Sequence, residues 1–339
     1  MPRGTSSPAQ QARRRGMFEA ARQHGLLGTD RSQRIPIFTL IQQSECWLMF
    51  QPLDHLYGVY LYDQASAGIL INVNHPLNLQ RFTAAHEYGH YILGHGSSFD
   101  VMEQIQPGHR LGTQQEIEAQ AFAAHFLMPL QLVNTCLQRM GLTISPPQIT
   151  PEQVYRLSLE LGASYTAVVN HLVTLNKITH SIASILNQKL PKDIKAKIGK
   201  GRRPQDPWAD VWELESHDTG HVIYPRILDE IHIHLPETGS PNQTWMLADP
   251  DSIASTSQEP VVLVHDELER YSSAPVKHHF IFRVLQPGRS HICLTLLPSH
   301  SSTASSPELF EITLQVLEDS NSSAQRGLSE QQKRMLLFS

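Results

Sequence analysis

From Ile35 onward the chain alternates apolar and polar residues in short runs, then repeats apolar residues every three to four positions, then returns to alternation. The first part, "ECWLMFQPL", "YGVYLYD" and "AGILINVN", is cut by Pro52, Gly58 and Gly68 and predicts a small antiparallel sheet. In Leu79 to Leu93, Phe82, Ala85, Ile92 and Leu93 share a face with Gly89, which predicts a helix, and "GH" at 94 and 95 supplies its stop. "QQEIEAQAFAAHFLMP" predicts a second helix ending at Pro129. "PLQLVNTCLQRMG" predicts a third, with a stripe of Leu130, Val133, Leu137 and Met140 and a stop at Gly141. Thr150 then offers an N-cap with Gln153 three residues on, followed by the stripe Val154, Leu157 and Leu161, a Gly162-Ala163-Ser164 turn and a further helix. That is helix-turn-helix spacing, over residues 142–187.

The flanking segments differ in character. Residues 1–34 are rich in Pro, Gln, Arg and Ser with poor apolar periodicity, and read as a mobile arm that leads into a helix around Gly16 to His24. Residues 188–218 contain "QKLPKDIKAKIGKGRRPQDP", with five Lys and two Arg against two Asp, and read as a basic linker. Beyond it, "HVIYPRI", "DEIHIHL", "EPVVLVHD", "HHFIFRVL", "SHICLTLL" and "FEITLQVLE" are alternating runs separated by turn residues, the pattern of an all-β sandwich over 219–319. Residues 320–339 form a polar tail. The predicted fold class is therefore multidomain: an α+β domain over 35–141, a helix-turn-helix unit, and an all-β sandwich.

Composition narrows the function. The 339 residues are 40% hydrophobic and 17% charged, ordinary for a globular protein with sizeable cores. No apolar run reaches membrane-spanning length, and no apolar segment follows the basic start, so the chain reads as cytoplasmic. Cys46, Cys136 and Cys293 are too few and too widely spaced for a disulfide framework or a cysteine-rich zinc module. A formal charge of -5 gives no general attraction to nucleic acid.

The run "RFTAAHEYGHYILGH" carries the candidate chemistry. On a helix His86 and His90 lie one turn apart, so both imidazoles can reach one ion with Glu87 beside it. A catalytic zinc takes three protein ligands and keeps one position open. His95 is nearest in sequence, but the metzincin spacing would put a Gly and a His where Leu93 and Gly96 stand, which argues against it. On the following helix Glu118 lies one turn from Phe122, a predicted core residue. Glu116 shares its face with Gln120 and Ala123 and is the predicted third ligand, with Gln120 as a candidate orienting residue.

The apolar strand ending in Asn before "RFTAAHE", the H-E-x-x-H motif, and Glu116, Ala119, Phe122, Ala123 and Leu127 to Pro129 together resemble the ImmA/IrrE family of metallopeptidases over about residues 35–185. The resemblance implies a zincin-like domain in which Glu87 is the general base and His86, His90 and Glu116 hold zinc, with manganese left open. It also implies a helix-turn-helix repressor as protein substrate, encoded nearby, whose cleavage releases a phage, mobile-element or stress response. Gln120 stands where the family usually has Asn. The rival reading is a regulator that binds a partner or DNA, with a degenerate site. "SYTAVVNHLVTLNK" carries only Lys177 as a basic residue, so DNA binding by this helix is weakly supported. Oligomeric state is not legible.

"IHLPETGSPNQTW", "FIFRVLQPGRSHICLTLLP" and "FEITLQVLE" resemble the chagasin family of cysteine-protease inhibitors, which implies an immunoglobulin-like sandwich. The three reactive loops are absent: the matching places read "ETGSPNQT", "SAPV" and "PSH", so a binding or sensor module is expected in place of an inhibitor. "LPETG" lacks the membrane segment a sorting signal needs. His232 and His234 share a strand face and, with His217, His221, His278 and His279, form a second candidate metal cluster, although the alternation assigns them to solvent-facing positions.

Overall fold

The computed structural model describes residues 7–63, 66–101, 113–142, 149–202, 204, 206–236, 243–248, 261–269, 277–298 and 308–316. Their contacts form two compact units: Met1–Cys136 with Leu161–Ala183, and Leu137–Glu160 with Ser184–Glu318.

The first unit opens with helix α1, Pro8–Leu26. Ser7 caps it by accepting from the Gln10 amide while the Gln10 side chain accepts from the Ser7 amide. The segment read as a mobile arm is therefore largely helical. Its buried Ala12, Gly16 and Ala20 recur every four residues, and a Cβ at Gly16 would meet the Glu118 carbonyl on α4, Gln114–Leu127. Small residues allow this close packing yet give almost no hydropathic signal, which is why the periodicity looked poor.

After α2, Ile37–Gln42, come β1, Cys46–Gln51, β2, Leu56–Tyr62, and β3, Ala67–Asn72. Helix α3 spans Leu77–Leu93 and β4 spans Ser98–Val101. The sheet order is β1-β3-β2-β4. The expected sheet is present but not wholly antiparallel, since β1 pairs with β3 in parallel from Cys46↔Ala67 to Gln51↔Asn72. The chain skips a position between β1 and β2, and buried Asn72 holds that connection across the end of β3, donating to Leu53 O at 2.8 Å and Leu56 O at 2.6 Å. Helix α5, Leu130–Arg139, buries Leu132, Val133, Cys136 and Leu137, whereas Leu130, placed on the predicted stripe, is exposed.

Helix α6, Pro151–Leu161, carries the predicted Thr150 cap with Gln153 completing the box. Gly162 turns the chain in the left-handed region before α7, Tyr165–Thr174. Then follow α8, His180–Asn187, and α9, Pro191–Ile198.

In the second unit β5, Val211–Glu215, leads through a 3-10 turn at Ser216–Asp218 to β6, Val222–Ile223, and β7, Glu230–Pro236. The remaining strands are β8, Gln243–Leu247, β9, Val261–Glu269, β10, Lys277–Val284, β11, Gly288–Pro298, and β12, Glu308–Val316. They form two four-stranded sheets, β5-β7-β10-β9 and β6-β12-β11-β8. One core joins them, with Trp212, Ile231, Ile233 and Phe280 from the first sheet against Trp245, Ile292, Phe310 and Ile312 from the second. This is the predicted sandwich, starting earlier than expected. The supposed linker contains α9 and β5: Pro191 starts the helix, Ile194 and Ile198 are buried one turn apart, and Lys195 Nζ reaches Ala209 O at 2.6 Å. Its lysines populate a helix surface that composition alone could not distinguish from a tether. Helix α6 is anchored by Arg156, which donates to Glu213 O at 2.7 Å and pairs with fully buried Asp218.

The chagasin-type loop positions 237–242, 273–276 and 299–300 and the tail 320–339 lie outside the described residues. Among the described residues no helix is long and apolar enough to cross a membrane.

Candidate metal centre

Helices α3 and α4 pack closely at Gly89, where a Cβ would stand 3.0 Å from Phe122 Cδ1 and 3.3 Å from Ala119 Cα. The approach brings the first turn of α4 alongside the last turns of α3. Glu116 Oε2 lies 3.2 Å from His86 Nε2 and Glu116 Oε1 lies 3.6 Å from His90 Nε2. The two Nε2 atoms are 3.1 Å apart. One ligand atom from each residue lies within 4.8 Å of the others. A tetrahedral ion with ligands at roughly 2.0–2.1 Å separates them by about 3.3 Å, so the spacing suits such an ion. Two imidazole nitrogens and a carboxylate also leave one position free. A hydrogen bond from His86 Nε2 is the main effect holding the Glu116 carboxyl far below the usual carboxylate range, so it is an anion at neutral pH.

Glu87, the predicted base, is fully buried, and Ser98 Oγ on β4 donates to its Oε2 at 2.8 Å. Gln120 is exposed on α4, which does not suit the orienting role considered for it. Glu118, set aside as a ligand, has that position in the hydrogen-bond chain. Its Oε2 accepts from Arg15 Nη1 at 2.7 Å and meets His95 Nε2 at 3.1 Å, and its Oε1 accepts from Gln114 Nε2 at 2.8 Å. His95 Nδ1 then lies 3.0 Å from His90 Nδ1.

These contacts determine the tautomers. A carboxylate only accepts, so the His95 proton sits on Nε2. Burial pushes the His95 pKa down, and the neutral ring presents a lone pair at Nδ1. His90 must donate from Nδ1, which leaves its Nε2 lone pair directed at Glu116 and His86. Arg15, Glu118 and His95 thus hold His90 in the tautomer that could coordinate an ion. Sequence reasoning missed this relay because Gly94 at φ 69 reverses the chain after α3 and folds His95 back over its end.

With this geometry, residues 41–172 match the family model of the IrrE N-terminal-like domain, Peptidase_M78. The match contains His86, Glu87, His90 and Glu116 and ends before the sandwich. No curated protein matches the chain. Solved structures similar to part of it include EhICP2, a cysteine protease inhibitor from Entamoeba histolytica, at 13% identity and TM-score 0.28, covering 33% of this chain and 100% of that one. Amebosin is similar at 18% identity and TM-score 0.23, covering 32% of this chain and 98% of its own. PbICP-C, solved in complex with falcipain-2, is similar at 13% identity and TM-score 0.22, covering 32% of this chain and 100% of that one.

Proposed function

We propose that this protein is a zinc-dependent endopeptidase that makes a limited cut in a regulatory protein, a helix-turn-helix repressor encoded nearby, and so releases a mobile-element or stress response. The observation that carries the reading is the convergence of His86 Nε2, His90 Nε2 and the Glu116 carboxylate, on the same helix pair as a buried Glu87. Zinc held by those donors would polarise the scissile carbonyl and acidify water in the open position. The donor set also accepts manganese.

The chain's own residues supply the rest. Glu87 takes the proton of the attacking water and returns it to the leaving amine nitrogen, while Ser98 fixes the carboxylate by donating to Oε2. Glu116 stays ionised, and the Arg15–Glu118–His95 chain keeps His90 in the coordinating tautomer. No side-chain nucleophile is required. For the test, purified wild type and Glu87→Gln are incubated with the neighbouring repressor, and fragments are read by mass spectrometry alongside ion content. Glu87→Gln is expected to retain its ion and lose cleavage by roughly 10²–10⁴-fold. Equal cleavage by both proteins would sink the catalytic assignment and favour a non-catalytic binding role.

A further inference from the structure

His232, His234 and His279 were expected to face solvent, and the sandwich instead buries them at 1%, 4% and 4% exposure. They lie on the sheet face opposite the core, because Ile231, Ile233 and Leu235 take the inward positions of β7. His232 and His234 are two residues apart on β7, and His279 on β10 is the direct cross-strand partner of His234. Burying three imidazoles on one patch of sheet carries a desolvation cost that a shared ion would offset.

His232 Nδ1 and His279 Nε2 face each other at 3.3 Å. The His234 ring stacks on His279 with centroids 4.1 Å apart, and one nitrogen from each of the three lies within 4.8 Å of the others. On the far side His232 Nε2 lies 3.5 Å from Glu230 Oε2, and Glu230 Oε1 accepts from Arg283 Nη2 at 2.9 Å. At 3.5 Å this is an ion-pair contact and not a hydrogen bond, and it sets the carboxylate behind the His232 ring while Nδ1 faces His279. A carboxylate behind an imidazole is the usual support of a metal-bound histidine. The 3.3 Å separation also equals the edge of a tetrahedron with ligands at roughly 2.0–2.1 Å. Glu213 Oε1, 3.9 Å from His234 Nε2, stands next to the set and could fill a fourth position.

We propose that His232, His234 and His279 form a second site, in the sandwich, for a divalent transition ion, with zinc the best fit to an all-imidazole set of this spacing. The site shares no residue with the centre on α3 and α4, so it stands or falls independently. Its β-strand scaffold places the ligands before the ion arrives, and an ion bound only by the folded sandwich stabilises it.

The test uses the full chain, stripped of metal and titrated with Zn²⁺ and, for its visible absorption, Co²⁺. His86→Asn/His90→Asn disables the first centre and leaves the sandwich untouched. That protein is expected to bind one ion per chain, with an X-ray absorption spectrum at the zinc edge showing imidazole scattering, and to melt at a higher temperature with the ion than without. Adding His232→Asn/His279→Asn should abolish the remaining binding. The proposal is overturned if His86→Asn/His90→Asn binds no ion, or binds one without imidazole scattering. Support and refutation are both read on a protein whose sandwich is intact, so neither depends on whether the quadruple variant folds.

Discussion

At the level of single residues, the pair His86 and His90 was legible because four-residue spacing on a helix has a single geometric meaning. Glu116 over Glu118 followed from helical phase, and the structure brings Glu116 alone of the two to the His pair. The relay behind His90 was not legible, since it depends on a reversal at Gly94 and on Arg15, which lies 103 residues from its partner Glu118. The two glutamates should therefore fail differently. Glu116→Ala removes a proposed ligand, whereas Glu118→Ala and His95→Ala leave all three proposed ligands in place and loosen the His90 ring. The latter two variants are expected to weaken ion affinity at this centre by about 10–100-fold, measured by competition with a chromophoric chelator. Wild-type affinity in both would show that the relay does not tune the centre.

At the level of helices and strands, α4 was predicted in position and type, but the groups satisfying its last turn came from elements distant in sequence. His24 Nε2 on α1 meets Phe126 O at 3.0 Å, and His171 Nε2 on α7 meets Met128 O at 2.8 Å. Burial lowers both imidazoles from about 6.5 to about 4. Between those values the unfolded chain binds protons that the folded chain excludes. Stability is then fully present above about pH 6.5 and falls toward pH 4, by on the order of 3 kcal/mol for each histidine. Urea unfolding midpoints at pH 7 and pH 5 should show the drop, and His24→Gln, whose amide can still donate to Phe126 O, should reduce it. An unchanged pH dependence in His24→Gln would contradict the assignment. The α3/α4 contact makes a second prediction for the same helices. Gly89→Val forces them apart against Phe122 and Ala119, so the variant should stay folded yet lose ion affinity as Glu116 is carried away from His86 and His90. Wild-type affinity would show that the close packing does not set the centre.

Across the whole chain, the order of an α+β part before an all-β sandwich could be read from the change in hydrophobic period. The boundaries could not. Small residues concealed α1, and a lysine-rich exposed face made α9 look like a tether. Arg156, which fixes α6, has its partner Asp218 62 residues away in a turn of weak local signal. Breaking that pair leaves a fully buried carboxylate, so Arg156→Ala should destabilise the second unit by about 3–5 kcal/mol in thermal or urea unfolding. Arg156→Ala with Asp218→Asn should recover part of the loss. No recovery would assign the effect to the other groups Arg156 meets, the Glu213 carbonyl and the buried Glu160 carboxylate.

The proposed chemistry depends on a three-ligand centre, and metal content by elemental mass spectrometry tests that centre with the fewest intervening steps. The comparison uses His232→Asn/His279→Asn protein, which removes the sandwich cluster from the count, with and without Glu116→Ala or Glu118→Ala. One ion per chain, lost with Glu116→Ala and still present at stoichiometric concentrations with Glu118→Ala, is the expected result. No ion before either substitution, or an ion that survives Glu116→Ala, would refute the three-ligand centre.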